Sequence, residues 1–355
     1  MINFKDRVNG LLYKEDLSES IFDSNVKIST RALFNVQEFQ INSNIVKVAL
    51  PVTFTPYASS RACSARCRFC SENLILKKPG TIGQSLRPPE GYHDQLLETL
   101  LTLKQIPMGI SLSGLEISDD PLWLLKTIDV LMNWEELGGA WTERAAYTNG
   151  SGFATEDCYK LIDALSRLKI DRLEVSRHHF LEDINQKLMR FKDSYKIKAG
   201  TVFEKTLKRL IDSGLPITLI CILQKKGVNS LSEIEEYLSW SRNLGVRKVI
   251  FRELCELPEI YRGNSTLEFI KSQRVKIKNY VENWLSKEIK FSHFVNGYYF
   301  WNAVFLYKGQ EVVFERSDYS LMKEMHSSDT IYKFVYFANG NLSNDWDPDK
   351  VVLGK

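Results

Sequence analysis

Cys63, Cys67 and Cys70 fall within eight residues, with three residues between the first pair and two between the second. Thiolates at that spacing on one loop can each take a different iron of a cuboidal iron–sulfur cluster. A cubane has four irons, so such a loop leaves one iron for a ligand that is not protein. A structural zinc site is the alternative, but it needs four closed ligands. No second CxxC and no HxxxH is present to complete one. Three incidental buried cysteines are a poor reading of a loop that also carries Arg61, Arg66 and Arg68.

The rest of the composition sets the frame. A chain of 355 residues can bury a large core, and one main domain with an appendage is expected. Its 47 basic and 44 acidic residues give a net charge of +3. That balance argues against an electrostatic nucleic-acid binder and leaves room for a small anionic substrate. Six cysteines in this length are not a disulfide framework. The first residues carry no signal-like apolar run, and no stretch reaches the length of a membrane span. The expected location is the reducing cytoplasm.

Around the cysteines the chain reads as alternating strands and helices. Residues 1–44 form a lead-in without a clear period. Residues 45–54, β-branched and apolar, predict a buried strand that feeds straight into the cysteine loop. Residues 75–91 are an irregular segment broken by Lys77-Lys78-Pro79-Gly80 and Arg87-Pro88-Pro89. Helices are expected over 93–104, from Asp120-Pro121 onward, and over 155–168, 202–211, 230–244 and 267–285. The second of these carries Leu122, Leu125, Ile128 and Leu131 inward. Strands are expected over 109–112, 145–148, 172–176, 216–223 and 247–252. Six strand–helix units with short links predict an α/β fold, a partial (β/α)6 TIM-like barrel of parallel strands over 45–288. From 289 to 355 the texture becomes aromatic and β-prone, which predicts a small antiparallel C-terminal addition on the substrate side.

Other chemistry-bearing residues are expected at strand ends, where barrel active sites form. Ser113-Gly114-Leu115-Glu116 ends the second strand, Asn149-Gly150 the third, and Ser176-Arg177-His178-His179 the fourth. Neighbouring strand residues point to opposite faces, so only one of the two histidines faces a cavity, as a substrate or proton-transfer group. The same holds for Arg252 and Glu253 on the sixth strand, with Arg252 an anion ligand or a salt-bridged rim residue. Glu116 can equally be one more acid near a helix start. Cys158, Cys221 and Cys255 are scattered and read as small buried residues. The polar stretch 339–346 is a candidate lid.

The arrangement Cys-x3-Cys-x-Phe-Cys after the first strand resembles the hallmark of the radical S-adenosylmethionine enzymes. Over roughly 45–285, other positions agree individually more weakly. Ser113-Gly114-Leu115-Glu116 resembles the family's Gly-Gly-Glu motif, with Leu115 in place of its second glycine. Lys226-Gly227-Val228-Asn229 and Phe251-Arg252-Glu253 resemble the branch that includes the cyclic pyranopterin synthases. The tail lacks further cysteines, so a single cluster is implied.

The resemblance implies a [4Fe-4S] cluster on Cys63, Cys67 and Cys70, with S-adenosyl-L-methionine on the open iron. It implies cosubstrate contacts from Phe69, Ser113, Gly114, Glu116, Asn149, Ser176 and Arg177; Arg177, His178 and Arg252 are the candidates for catalytic or substrate roles. A one-electron donor such as flavodoxin or ferredoxin is implied as partner. The substrate is a small sugar- or nucleotide-like molecule, or a short ribosomally made peptide. Two rivals stay open: a non-catalytic iron–sulfur or zinc protein, and an enzyme whose open iron acts as a Lewis acid for dehydration.

Overall fold

Position 44 begins the strand from which the whole sheet is laid out. The structure, a computed structural model, describes residues 34–74, 87–156, 158–255, 257, 263–287 and 289–352. Most of the lead-in and of the irregular segment after the cysteines lies outside these residues.

Strand β1 (Asn35–Ile41) pairs antiparallel with β2 (Asn44–Pro56). From β2 the alternation runs as read. Helix α1 (Tyr92–Thr102) leads to β3 (Met108–Leu112), and α2 (Pro121–Glu136) to β4 (Trp141–Thr148). Helix α3 (Cys158–Arg167) precedes β5 (Arg172–Ser176), which α4 (Glu182–Met189) and α5 (Gly200–Asp212) separate from β6 (Ile217–Leu223). Helix α6 (Leu231–Asn243) leads to β7 (Lys248–Glu253), followed by α7 (Ser265–Gln273) and α8 (Ile277–Ser286). The C-terminal part adds β8 (Lys290–Asn296), β9 (Phe300–Tyr307), β10 (Gln310–Ser317), α9 (Tyr319–His326), β11 (Thr330–Tyr336) and β12 (Leu342–Ser343).

The six strands β2–β7 are parallel in sequence order. Strands β8, β9 and β10 form the expected antiparallel meander. The tail also does something that its texture does not disclose. β10 pairs parallel with β7 at one edge, and β11 pairs parallel with β2 at the other. Eight parallel strands therefore stand side by side, and the sheet runs from β12 to β8 without closing.

Two expectations are corrected, and one helix is added. In α2, Leu122 is 72% exposed and Leu125 only half-buried; the buried face is Leu124, Thr127, Ile128, Leu131 and Trp134. Asp120 does cap that helix, with Pro121 at its first position, and this start sets the face. The long helix over 267–285 is two helices, because Glu253 intervenes. Buried at the end of β7, it accepts from Arg274 Nε at 2.8 Å and from the Ile277 backbone N–H at 2.9 Å. That second bond satisfies a free N–H at the start of α8 and fixes a new helix there. Helix α4 was not read from the sequence at all.

Side chains alternate between two faces along each strand. Leu112, Ala146, Leu173, Val175, Leu219, Val249, Phe251 and Phe314 join the core shared with the helices. The opposite face carries Tyr147, Glu174, Ile220, Arg252, Val313 and Glu315, a mixture of charged and apolar groups.

Candidate active site at the cysteine loop

The chain leaves β2 at Pro56 and turns through residues 57–70 at the C-terminal edge of the parallel strands. Tyr57 bridges to Ser113, and the Ala58 N–H donates to the Ser113 carbonyl at 3.3 Å. Two further backbone bonds strap the loop to the end of α4: Arg66 N–H to Met189 O at 2.9 Å and Arg68 N–H to Leu188 O at 3.1 Å. The unforeseen helix is thus what holds the cysteines. Cys63, Cys67 and Cys70 are half-buried free thiols that line one cavity of about 750 Å³ with Glu72, Leu115 and Arg68.

Burial pushes the Cys63 and Cys67 thiols up; Glu116 adds to the effect at Cys63, and the other two cysteines add to it at Cys67. Among the described residues, no three His, Cys, Asp or Glu side chains meet closely enough to ligate one metal ion.

Behind the loop lies a buried network that ties the ends of β3 and β4 together. Glu116 is 2% exposed, and its carboxylate accepts from the Ser118 N–H at 3.0 Å, Ser118 Oγ at 2.6 Å, the Thr148 hydroxyl and the Asn149 backbone N–H. Both of its oxygens are therefore occupied from within the protein. Burial, and then Asp119, push this carboxyl up to about 7 against those donors. Asn149 carries the connection forward. Its amide donates to Ser64 Oγ at 2.9 Å and reaches Cys63 Sγ at 3.6 Å. Asp119 accepts from the Ser64 N–H and from Ser151 Oγ, each at 2.5 Å. Ser64, Asp119 and Ser151 were missed in the sequence because Asp119 reads as one more acid at a helix start.

Two backbone positions explain the local sequence. Gly114 has φ +84°, and a Cβ there would stand 3.1 Å from the Tyr57 ring, so a side chain would be strained and crowd that ring. Leu115 also has positive φ, +63°, where a glycine is ordinarily required. This is the residue that departs from the Gly-Gly-Glu pattern.

The end of β5 sorts its residues by parity. Ser176 is half-buried at the strand end. Arg177 faces the helices: its guanidinium lies 4.7 Å from the Phe203 ring centroid in α5 and Tyr237 of α6 donates to its carbonyl at 2.7 Å. The structure does not bring it to the cysteine loop. His178 does reach the loop, edge-on to Phe69 with ring centroids 4.8 Å apart. Its Nδ1 accepts from the Ile222 N–H at 3.1 Å, which leaves the proton on Nε2. Burial holds it neutral, its pKa lowered to about 3. Phe69 itself packs among Leu188, Leu254 and Leu267. His179 turns away onto Phe180.

Arg252 points inward and is ion-paired. Its Nε donates to Glu315, and its Nη2 lies 3.8 Å from Glu174. Glu174 is held in turn by Arg172 at 2.8 Å, and Arg172 reaches Glu143 and Tyr147. Arg252 is thus ion-paired on the inner face of the sheet.

No protein-family model and no curated protein matches the chain. Solved structures are similar in outline. anSMEcpe with bound AdoMet matches at 13% identity and a TM-score of 0.42, over 57% of this chain and 51% of that one. Streptococcus suis SuiB bound to S-adenosylmethionine matches at 14% and 0.48, over 84% and 61%. Coproporphyrinogen III oxidase (HemN) from Escherichia coli, described as a radical SAM enzyme, matches at 13% and 0.44, over 68% and 54%. The chain spans from 51% to 61% of the length of these proteins. At such identities the likeness concerns the path of the chain, not its chemistry.

Proposed function

We propose that this chain is a radical S-adenosylmethionine enzyme acting on a small polar substrate held in the open barrel. One observation carries the reading: Cys63, Cys67 and Cys70 line a single cavity at the C-terminal edge of the parallel strands. These three residues would hold a [4Fe-4S] cluster. When bound and reduced, that cluster supplies the electron that cleaves S-adenosylmethionine to methionine and a 5′-deoxyadenosyl radical, which takes a hydrogen atom from substrate.

The protein's own part is positioning and shielding. Glu116 and Asn149 fix the β3 and β4 ends against Ser64 and Cys63, which gives the loop one shape. Leu115, at positive φ and lining the cavity, brings backbone close to where the cosubstrate would sit. Ser113, Gly114 and Ser176 complete that rim. Arg177, turned to the helices, is left out of it. His178 is neutral and tautomer-fixed, and so suited to donate from Nε2. The inner-face charges and the strands of residues 289–355 form the substrate side. An external one-electron donor of flavodoxin or ferredoxin type completes the system. Among the described residues, no helix is long and apolar enough to cross a membrane.

The test is anaerobic reconstitution with iron and sulfide, reduction, and addition of S-adenosylmethionine. Methionine and 5′-deoxyadenosine should appear in equal amounts. A protein that holds its cluster and yields neither sinks the proposal.

A further inference from the structure

Among the described residues, the inner face of the sheet holds a cation that the site above does not use. Lys333, on β11, is 7% exposed. Among the described residues its ammonium makes no hydrogen bond and no ion pair. The other inner-face cations are taken: Arg172 by Glu143 and Glu174, Lys248 by Glu311 at 2.6 Å, Arg252 by Glu315.

Register fixes where Lys333 points. Its neighbours Phe334 and Tyr336 join the helix-side core, so Lys333 and Val335 face inward. Lys333 pairs with Thr53 of β2 and Val335 with Thr55, whose hydroxyl is itself buried without a hydrogen-bond partner. The Trp346 ring covers one side of the ammonium, 3.9 Å from Nζ to the centroid. The backbone that carries that ring is held by Asp345, which accepts the Trp346 backbone N–H at 2.7 Å and is bonded to His326 at 2.9 Å.

The carboxyls that act on Lys333 from a distance are Asp345 and Glu72; burial outweighs both and lowers its pKa to about 7. Glu72 accepts from the Tyr57 hydroxyl at 3.0 Å and lines the cysteine cavity. An aromatic face recovers only part of the cost of burying a charge, and the three N–H groups still call for acceptors.

We infer that Lys333 is the anchor for an anionic group, a carboxylate or a phosphate, on the molecule that occupies the barrel. The inference rests on the proposed function in taking that molecule to be the substrate. It narrows the substrate class from polar to anionic. A charge-assisted contact would give the ammonium the acceptor that it lacks within the protein.

The experiment uses the full reconstituted chain with its lysines reductively ¹³C-methylated. Lys333→Arg, which removes one signal, assigns the Lys333 resonance. One arm is titrated with sodium acetate and the other with inorganic phosphate, both at matched ionic strength in chloride. The Lys333 resonance should shift saturably in at least one arm, beyond any surface lysine; the arm that responds names the anion. A Lys333 resonance that moves in neither arm more than the surface lysines overturns the inference and makes Lys333 a packed residue only. Formation of 5′-deoxyadenosine by the wild type is followed separately. An unmoved resonance in a protein that cleaves S-adenosylmethionine sinks the anchor alone. A saturable shift in a protein that does not cleave it sinks the proposed function alone.

Discussion

The Asn149 backbone N–H donates to the Glu116 carboxylate, while the Asn149 side chain donates to Ser64 Oγ beside Cys63. One residue thus couples the end of β3 to the cysteine loop through the end of β4. Removing the acceptor strands several donors in a buried place. Glu116→Ala should cost about 3 kcal/mol, since an unsatisfied buried donor costs about 1–3 kcal/mol and the losses are not additive. Urea denaturation measures this, and a change within about 0.5 kcal/mol, typical of surface sites, would contradict it.

The same carboxyl makes stability depend on pH. Burial, and then Asp119, raise the folded Glu116 from 4.5 to about 7, and burial raises Asp119 in the same direction. A carboxyl that holds its proton more tightly when folded favours the folded state at low pH. Its contribution is full below about 4.5 and is lost as pH rises to about 7. Wild type should therefore lose stability across that window relative to Glu116→Gln. Parallel curves for the two proteins would refute the assignment.

Gly152 is the position least able to carry a side chain. A Cβ there would lie 1.9 Å from the Ser118 carbonyl oxygen, which is backbone and cannot give way. Gly152→Ala should cost at least about 3 kcal/mol, the upper end of ordinary overpacking. A variant as stable as wild type in thermal unfolding would show that the contact is not made.

Leu115 tests the departure from the family pattern. A left-handed backbone costs a non-glycine residue about 1–2 kcal/mol. Leu115→Gly relieves that and loses a half-buried side chain packed near Tyr57 and Trp346. The two effects should leave it within about 1 kcal/mol of wild type. Leu115→Ile, β-branched in the same conformation, should be the less stable of the two. The reverse order in a thermal melt would contradict the backbone account.

Arg252 tests the inner-face charges. Arg252→Met leaves Glu174 and Glu315 facing each other without their shared cation, at a cost of about 3 kcal/mol. Adding Glu315→Gln to that variant should recover part of the loss. An additive or larger loss in the double variant would show that the pair is not coupled.

Much of this was legible in the sequence because the signals were local. The cysteine spacing, the Asp120-Pro121 helix start and the buried run before Cys63 each depend on neighbours in the chain. What stayed hidden depends on distant partners. Glu253 splitting α7 from α8 requires knowing that β7 ends beside them. The pairing of β10 with β7 and β11 with β2 is a tertiary choice that aromatic texture does not encode. Alternation predicted that His178 and His179 would part company, but not which of them would meet the loop. Lys333 reads as one lysine in an apolar strand until β2 and Trp346 are set around it.

The central claim is that the cysteine loop holds a cluster whose open iron is the seat of S-adenosylmethionine. Electron–nuclear double resonance on the reduced, reconstituted protein, with cosubstrate carrying ¹⁵N in its methionine amine, tests it directly. The account predicts a ¹⁵N coupling to the cluster that disappears when unlabelled cosubstrate is used. A reduced cluster that shows no such coupling, with saturating cosubstrate present, would contradict it.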